Sequence, residues 1–255
     1  MRWEGVGREA PGVISHRVVG DGPAVLLVHA GVCDARMWER QIEDLRVDHR
    51  VITVDLRGYG ETPLEGGAKY ADAADVLEVL DELGVSVTKA VGASYGAYVV
   101  LQAASRAPER FERLVLMSPP ADNVVPTDDF RAFAAEENAL LEAGDVDGAT
   151  ELNVRTSVGP EADDAARELV RVMQRHAFEV QLATGEVDAD EWEVGGITAP
   201  IRLFTGAHEL KFFGACAEYL TELLPNVEHT ELAWAGHLPS LERPEEMTAL
   251  IRASL

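Results

Sequence analysis

The 255-residue sequence is poor in cysteine, in basic residues and in long apolar segments. Its 2 cysteines, Cys33 and Cys216, are too few for a disulfide-stapled scaffold, and their separation favours free thiols in a reducing compartment. No apolar run approaches the roughly 20 residues that span a bilayer. The first residues show no basic head followed by an apolar stretch. We therefore expect a cytoplasmic protein that has no membrane partner.

The scarcity of basic residues excludes another class of function. Lys and Arg total 22 against 45 Asp and Glu, so the formal net charge is −23. A field of this sign repels nucleic acid and anionic membrane surfaces and keeps a protein soluble. The sequence therefore predicts a monomer or homodimer with a well-solvated acidic surface and no nucleic-acid partner. The partner we expect is a small-molecule substrate.

Short apolar runs alternate with helical patterns in the first half of the chain. The predicted strands there are 13–19, 24–29, 50–55, 85–91 and 113–117, and the predicted helices are 37–45, 71–83 and 96–106. The strand segments are apolar throughout rather than at every second residue. Such strands, separated by helices, are typical of a parallel sheet that is buried on both faces.

The pattern changes after Pro119 and Pro120. Residues 122–190 are helical and charged, with candidate helices at 130–141, 146–157 and 162–184 and no convincing strand. Strands and helices then resume at 201–205, 215–224, 227–232 and from Pro244 onward. The sequence predicts a core domain of residues 1–121 and 191–255 and a helical cap of residues 122–190 over the carboxyl edge of the sheet, where ligands bind. A separate helical domain with its own core is the alternative.

The segment Gly92-Ala93-Ser94-Tyr95-Gly96 has the pattern G-x-S-x-G between a predicted strand and a predicted helix. On such a turn the serine backbone is held in a strained conformation so that its hydroxyl projects outward. Small residues are needed on either side, because a side chain there would collide with the strand or the helix. Ser94 is therefore the candidate nucleophile.

A serine nucleophile needs a base and a carboxylate that orients the base. His237 lies between the last predicted strand and the last helix, which places it at the same sheet edge as Ser94. Glu209 follows the predicted strand 201–205 and is the candidate carboxylate. Asp122, just beyond the strand 113–117, is the competing candidate.

The oxyanion of an acyl-transfer reaction needs two backbone N–H donors. Tyr95 follows the nucleophile at the start of a helix, where free N–H groups point outward. Gly31, in the loop after the strand 24–29, is the best candidate for the second donor, and Cys33 nearby is a candidate pocket residue. The apolar cap residues that we expect to set specificity, or to pack cap helix on cap helix, are Phe130, Phe133, Leu140, Leu141, Met173 and Phe178.

These residues lie in segments that resemble the α/β-hydrolase superfamily, in particular the serine hydrolase branch of esterases, enol-lactonases, C–C bond hydrolases and cofactor-free haloperoxidases. The resemblance covers nearly the whole chain outside the cap and is carried by LLVHAGVCDARMW, RVITVDLRGYGETP, VGASYGAYVVLQAA, PIRLFTGAHE and WAGHLPSLERPEE. It implies an α/β fold with a mostly parallel central sheet, flanking helices and a helical cap after the sixth strand. It also implies a triad of Ser94, Glu209 and His237 with oxyanion donors at Gly31 and Tyr95, and no metal or cofactor.

Three positions depart from the family pattern. Ala30 stands where the family has glycine after the histidine, Glu209 where it has aspartate, and Thr62 where it has serine. The serine at position 94 argues against haloalkane dehalogenases and epoxide hydrolases, which are similar in fold but carry aspartate there.

The residues and the resemblance together predict a serine hydrolase that cleaves a small, largely apolar ester or lactone through a Ser-His-Glu triad and an acyl-enzyme. A C–C bond hydrolase is one alternative. A non-hydrolytic member of the fold, such as a ligand-binding receptor, a lyase or a cyclase, is another, because a fold does not determine a function.

Overall fold

Strands and helices alternate along the chain in the computed structural model, which describes residues 14–65, 69–184 and 193–255 and the backbone of residues 188–189. The strands are β1 (His16–Val19), β2 (Ala24–Val28), β3 (Arg50–Val54), β4 (Lys69–Tyr70), β5 (Thr88–Ala93), β6 (Phe111–Met117), β7 (Asp188–Ala189), β8 (Ile201–Gly206) and β9 (Val227–Leu232). The α-helices are α1 (Glu39–Leu45), α2 (Asp72–Glu82), α3 (Tyr95–Arg106), α4 (Asp128–Glu142), α5 (Val146–Ser157), α6 (Asp164–Thr184), α7 (Lys211–Leu223), α8 (Pro239–Glu242) and α9 (Pro244–Ser254). Two 3₁₀ helices, Ala35–Trp38 and Pro108–Arg110, precede α1 and β6.

Seven of the described strands form one sheet in the order β1-β3-β2-β5-β6-β8-β9. β1 runs antiparallel to β3, and the other neighbours are parallel. Parallel neighbours need crossover connections, and here helices supply them and cover the faces of the sheet. The predicted fold class, a mostly parallel sheet flanked by helices, is confirmed.

Both faces of the sheet are buried, as β2 illustrates. Leu26 and Val28 belong to an apolar cluster with α2, α3 and α7, whereas Val25 and Leu27 belong to a cluster with α1 and α9. All four side chains are fully buried. Successive strand residues point to opposite faces, so a strand that is covered on both sides must be apolar throughout.

Several predicted boundaries are wrong, among them the start of the helix predicted at 215–224, which begins at Lys211, and two of the errors have a clear local cause. The strand predicted at 85–91 begins later, at Thr88, because Val85 donates its N–H to Leu80 O (2.8 Å) and so closes the end of α2. The helix predicted at 37–45 is split, because Asp34 caps a 3₁₀ turn that precedes α1. The short β7 lies in the region predicted to contain no strand, and its partner is the distant β4.

The loop after β3 accommodates the departure at Thr62. The Thr62 hydroxyl donates to Asp55 O (2.6 Å) and accepts the N–H of Ser15 (2.8 Å). The Asp55 carboxylate accepts the N–H groups of Ala35 (2.8 Å) and Glu61 (3.0 Å). Threonine keeps the hydroxyl that serine would supply, so the substitution leaves this hydrogen-bonded turn intact.

Helices α4, α5 and α6 follow β6 and lie against loops at the carboxyl edge of the sheet. On α6, the sulfur of Met173 accepts the N–H of Asp34 (3.4 Å), and His176 Nε2 pairs with Gly60 O (3.0 Å). Both partners belong to loops that follow strands β2 and β3. The division into a core domain and a cap domain stays a prediction. Within the described residues, no helix is long and apolar enough to cross a bilayer.

Gly96 provides a test of how tightly α3 lies against β2. A Cβ at Gly96 would be 2.2 Å from His29 O and 2.5 Å from Val28 O, which are backbone atoms with little freedom to move. We expect Gly96→Ala to lower the free energy of unfolding by about 1–3 kcal/mol or more, measured by urea denaturation. The matched control is Gly214→Ala in α7, where a Cβ meets nothing within 4 Å. It should raise stability by about 0.5–1 kcal/mol, and equal effects of the two changes would contradict this account.

Candidate active site

Ser94 occupies a tight turn between β5 and α3. Its backbone has φ 50° and ψ −120°, a region that residues with a side chain rarely adopt. A Cβ at Gly92 would lie 2.6 Å from Ala97 Cα, and Gly96 has the backbone contacts given above. The small residues of the motif therefore allow the chain to reverse so sharply that the Ser94 hydroxyl stands clear of both elements.

His237 connects Ser94 to a buried carboxylate. Its Nδ1 lies 2.6 Å from Glu209 Oε2, and its Nε2 lies 2.7 Å from Ser94 Oγ. A carboxylate only accepts hydrogen bonds, so Nδ1 carries the proton and Nε2 is free to accept the Ser94 hydroxyl. The side chains of His237 and Glu209 are 7% and 3% exposed, which shields this chain of hydrogen bonds from water.

The second oxygen of Glu209 is held by two donors. The Ser118 hydroxyl and the Gly206 N–H each donate to Oε1, both at 2.9 Å. Ser118 is fully buried and directly follows the end of β6. Ser118 was not predicted as a site residue, although its place at the carboxyl end of a central strand is a signal present in the sequence. These donors fix the longer glutamate side chain in the orientation that His237 requires.

Asp122, the competing candidate, lies elsewhere. Its two carboxylate oxygens accept the Tyr98 hydroxyl at 2.9 and 3.0 Å. The structure thus brings Glu209 to the imidazole and ties Asp122 to α3.

A further buried carboxylate, Glu242, holds the loop that carries His237. It accepts the Gly236 N–H with both oxygens, at 2.9 and 3.0 Å. A Cβ at Gly159, which follows α5, would lie 2.0 Å from Glu242 Oε2 and 2.4 Å from Gly236 N. Burial raises the pKa of Glu242. Glu242 therefore joins the loop that carries His237 to the segment after α5. It was not predicted as a site residue.

The candidate oxyanion donors, Gly31 and Tyr95, lie next to each other beside Ser94. A Cβ at Gly31 would be 3.3 Å from Tyr95 Cβ. Tyr95 is the first residue of α3, so its N–H has no acceptor within the helix.

His29 holds the loop that contains Gly31 by a hydrogen bond. Its Nε2 accepts the Leu56 N–H (3.0 Å), so its Nδ1–H donates to Ala30 O (2.8 Å). Burial lowers the pKa of His29 and favours the neutral ring that this pattern needs. The ring thereby ties the loop after β2 to the end of β3.

A cavity of about 410 Å³ opens above Ser94. Its lining contains Gly31, Val32, Tyr59, Ser94, Tyr95, Pro120, Phe130, Phe133, Glu137, Asn153, Thr156, Ser157, Gln174, Phe178, Gln181, Leu210, Phe212, Phe213 and His237. Phe130, Phe133 and Phe178 were expected there. Three other expected residues are not part of this lining: Met173 is buried in the core, and Leu140 and Leu141 are half-buried on α4.

One wall of the cavity is aromatic. The rings of Phe130, Phe212 and Phe213 pack together with centroid separations of 4.3–6.3 Å. Phe213 also stacks on the His237 ring at 4.1 Å and keeps water from one face of the imidazole. Cys33 lies outside the lining, and burial raises the pKa of its thiol, which makes it a poor nucleophile.

The side chain of Tyr95 is anchored behind the cavity. Its hydroxyl donates to Asp72 Oδ2 at 2.6 Å. Asp72 is buried at the start of α2, and desolvation raises its pKa to about 6. Burial likewise raises the pKa of Tyr95, with the Asp72 charge adding to the effect, so the phenol stays protonated and donates.

Proteins that place a nucleophile on a tight turn after a parallel strand, with a histidine from a later loop, form the α/β-hydrolase class. This chain belongs to the alpha/beta hydrolase fold family, whose model matches residues 23–159, more than half of its length. The resemblance noted in the sequence is thereby confirmed.

Individual relatives span most of the chain. It is 29% identical over 238 residues to carboxylesterase YbfK of Bacillus subtilis, covering 88% of this chain and 77% of that protein. It is 30% identical over 234 residues to a putative carbamate hydrolase, RutD, of Variovorax paradoxus, covering 87% of each. The solved enol-lactonase of Burkholderia xenovorans LB400 superposes with a TM-score of 0.74 at 19% identity, covering 94% of this chain and 95% of the other, a likeness of fold.

The raised pKa of Asp72 predicts how the free energy of unfolding changes with pH. In the unfolded chain this carboxyl ionises near its ordinary pKa, whereas in the folded protein it holds its proton up to about pH 6. The folded state therefore binds more protons between these values, and stability falls as pH rises through that window. We expect wild type to lose about 2–3 kcal/mol relative to Asp72→Asn between pH 4 and pH 7, measured by urea unfolding at both values.

The control for this measurement is Asp128→Asn. The Asp128 side chain is 98% exposed, so its stability difference from wild type should change little over the same window. A constant difference between wild type and Asp72→Asn would show that Asp72 ionises normally in the folded protein.

Proposed function

We propose that the protein is a serine hydrolase that cleaves a small ester or lactone, with Ser94 as nucleophile, His237 as base and Glu209 as the carboxylate that orients it. The observation that carries this proposal is the chain of hydrogen bonds from Ser94 through His237 to Glu209 at the floor of a cavity. The relatives described as a carboxylesterase and an enol-lactonase support the choice of ester or lactone over the alternatives.

In the first half of the reaction, Ser94 Oγ attacks the substrate carbonyl while His237 Nε2 takes the hydroxyl proton. The negative charge on the carbonyl oxygen is stabilised by the N–H groups of Gly31 and Tyr95. The bond to the alcohol oxygen then breaks, and His237 returns its proton to that oxygen. An acyl ester on Ser94 is left; for a lactone, the released hydroxyl stays attached to the acyl chain.

In the second half, water replaces the alcohol. His237 takes a proton from the water, whose oxygen attacks the acyl carbonyl, and the Ser94 oxygen leaves with the proton that His237 returns. Glu209 keeps the imidazole in the tautomer that accepts at Nε2 and stabilises the imidazolium formed in each half. No step requires a metal or an organic cofactor.

The nucleophile is tested with a fluorophosphonate probe, which reacts with activated serines. We expect intact protein to gain one label on Ser94 and Ser94→Ala to gain none. A panel of small esters, lactones and β-diketones assayed in parallel separates an ester or lactone hydrolase from a C–C bond hydrolase. Absence of labelling together with absence of turnover would favour a non-hydrolytic role for the cavity.

The carboxylate is tested by Glu209→Gln. An amide in this position cannot hold the imidazole in the required tautomer as a carboxylate does, so we expect kcat to fall by about 10³–10⁴. The matched control is Asp122→Asn, which weakens a contact with Tyr98 and should leave kcat within a few-fold of wild type. The reverse ranking of the two variants would assign the role to Asp122.

A further inference from the structure

The wall of the cavity formed by α5 and α6 is polar, unlike the aromatic wall. Gln174, Phe178 and Gln181 lie at helical spacing on one face of α6, and all three line the cavity. Gln174 is 4% exposed, and its Oε1 has no hydrogen-bond partner among the described residues. An amide oxygen that is cut off from water and unpaired destabilises a fold, so its presence calls for an explanation.

Two other polar side chains of this wall, Asn153 and Gln181, have partners within the protein. Both N–H groups of the Asn153 amide are used, one on Glu137 Oε1 (2.5 Å) and one on Ala149 O (3.0 Å). The Gln181 side chain interacts with the Tyr59 hydroxyl. None of these contacts reaches Gln174 Oε1, which remains an unpaired acceptor on a residue that lines the cavity.

We propose that Gln174 determines specificity by accepting a hydrogen bond from an N–H or O–H group of the substrate, at a point away from the scissile carbonyl. This inference rests on the proposed function and narrows its substrate class. The substrate is an ester or lactone whose apolar part packs on Phe130, Phe133 and Phe212 and whose amide or hydroxyl group lies against α6.

The charge beside the wall indicates that this group is not anionic. Glu137 of α4, which accepts a hydrogen bond from Asn153 of this wall, is a charged residue of the cavity lining, and the whole chain carries a net charge of −23, so an anionic substituent would be repelled. A neutral donor satisfies the Gln174 oxygen without introducing another charge. Discrimination of this kind is strong, because a substrate without the donor leaves a buried polar group unpaired.

The test compares matched ligands that differ in one group. One series is p-nitrophenyl esters whose acyl chain carries an amide N–H, its N-methyl counterpart or a methylene; a second places the same groups in the alcohol half of acetate esters. In at least one series we expect wild type to prefer the N–H compound by about tenfold in kcat/KM. In Gln174→Met, a change of similar shape, this preference should fall to within about twofold.

The matched control is Gln102→Met. Gln102 is also 4% exposed, lies on α3 outside the cavity lining and has a partner of its own. We expect Gln102→Met to lower the unfolding temperature and to keep the N–H preference. Gln174→Met should keep or raise the unfolding temperature, because it removes an unpaired polar group, while it abolishes the preference.

A binding measurement keeps this inference separate from the proposed function. In titration calorimetry, Ser94→Ala should bind the N–H compounds more tightly than their N-methyl and methylene counterparts. This should hold whether or not wild type hydrolyses the compounds. Binding preference without any turnover would refute the hydrolase proposal and support the role of Gln174. Turnover or binding that ignores the N–H group in both series, or a preference that survives in Gln174→Met, would overturn the inference.

Discussion

Close backbone contact at the carboxyl edge of the sheet is the constraint on which the site depends. A Cβ at Gly96 would overlap the carbonyl of His29, and a Cβ at Gly206 would lie 2.1 Å from Gly236 O. The first contact sets the helix after Ser94 against the end of β2, next to the loop that holds Gly31, and the second sets the loop of Glu209 against the loop of His237. Because these are backbone contacts, the site is held by rigid elements rather than by flexible side chains.

Buried polar groups then align the side chains of the proposed triad. Glu209 accepts three hydrogen bonds: one from the imidazole on one oxygen, and those of Ser118 and Gly206 on the other. Burying a carboxylate is costly unless its oxygens are paired, and here each of them is. Glu242 and His29 lie outside the chain of hydrogen bonds from Ser94 to Glu209. Their own hydrogen bonds hold the loops that carry His237 and Gly31. The orientation of each active group is therefore set by its neighbours.

The cavity above Ser94 has two different walls, and this contrast shapes the choice of substrate. Phe130, Phe212 and Phe213 offer apolar surface and shield the imidazole from water. A second wall, from α5 and α6, is polar and contains Gln174, whose amide oxygen is unpaired. The apolar residues of the cap predict a largely apolar substrate. The polar wall instead depends on which faces of α5 and α6 are turned toward the cavity.

The sequence by itself determined the sheet, the turn at Ser94 and the chain order of Ser94, Glu209 and His237, the residues of the proposed triad. These features are local: apolar runs form buried strands, and glycines beside Ser94 permit a turn that larger residues prevent. Only the tertiary structure decided between Glu209 and Asp122 as the neighbour of His237, brought in Ser118 and Glu242, and showed which cap residues face the cavity. Those outcomes depend on contacts between segments that are far apart in the chain, and local patterns carry no information about which distant loops will meet.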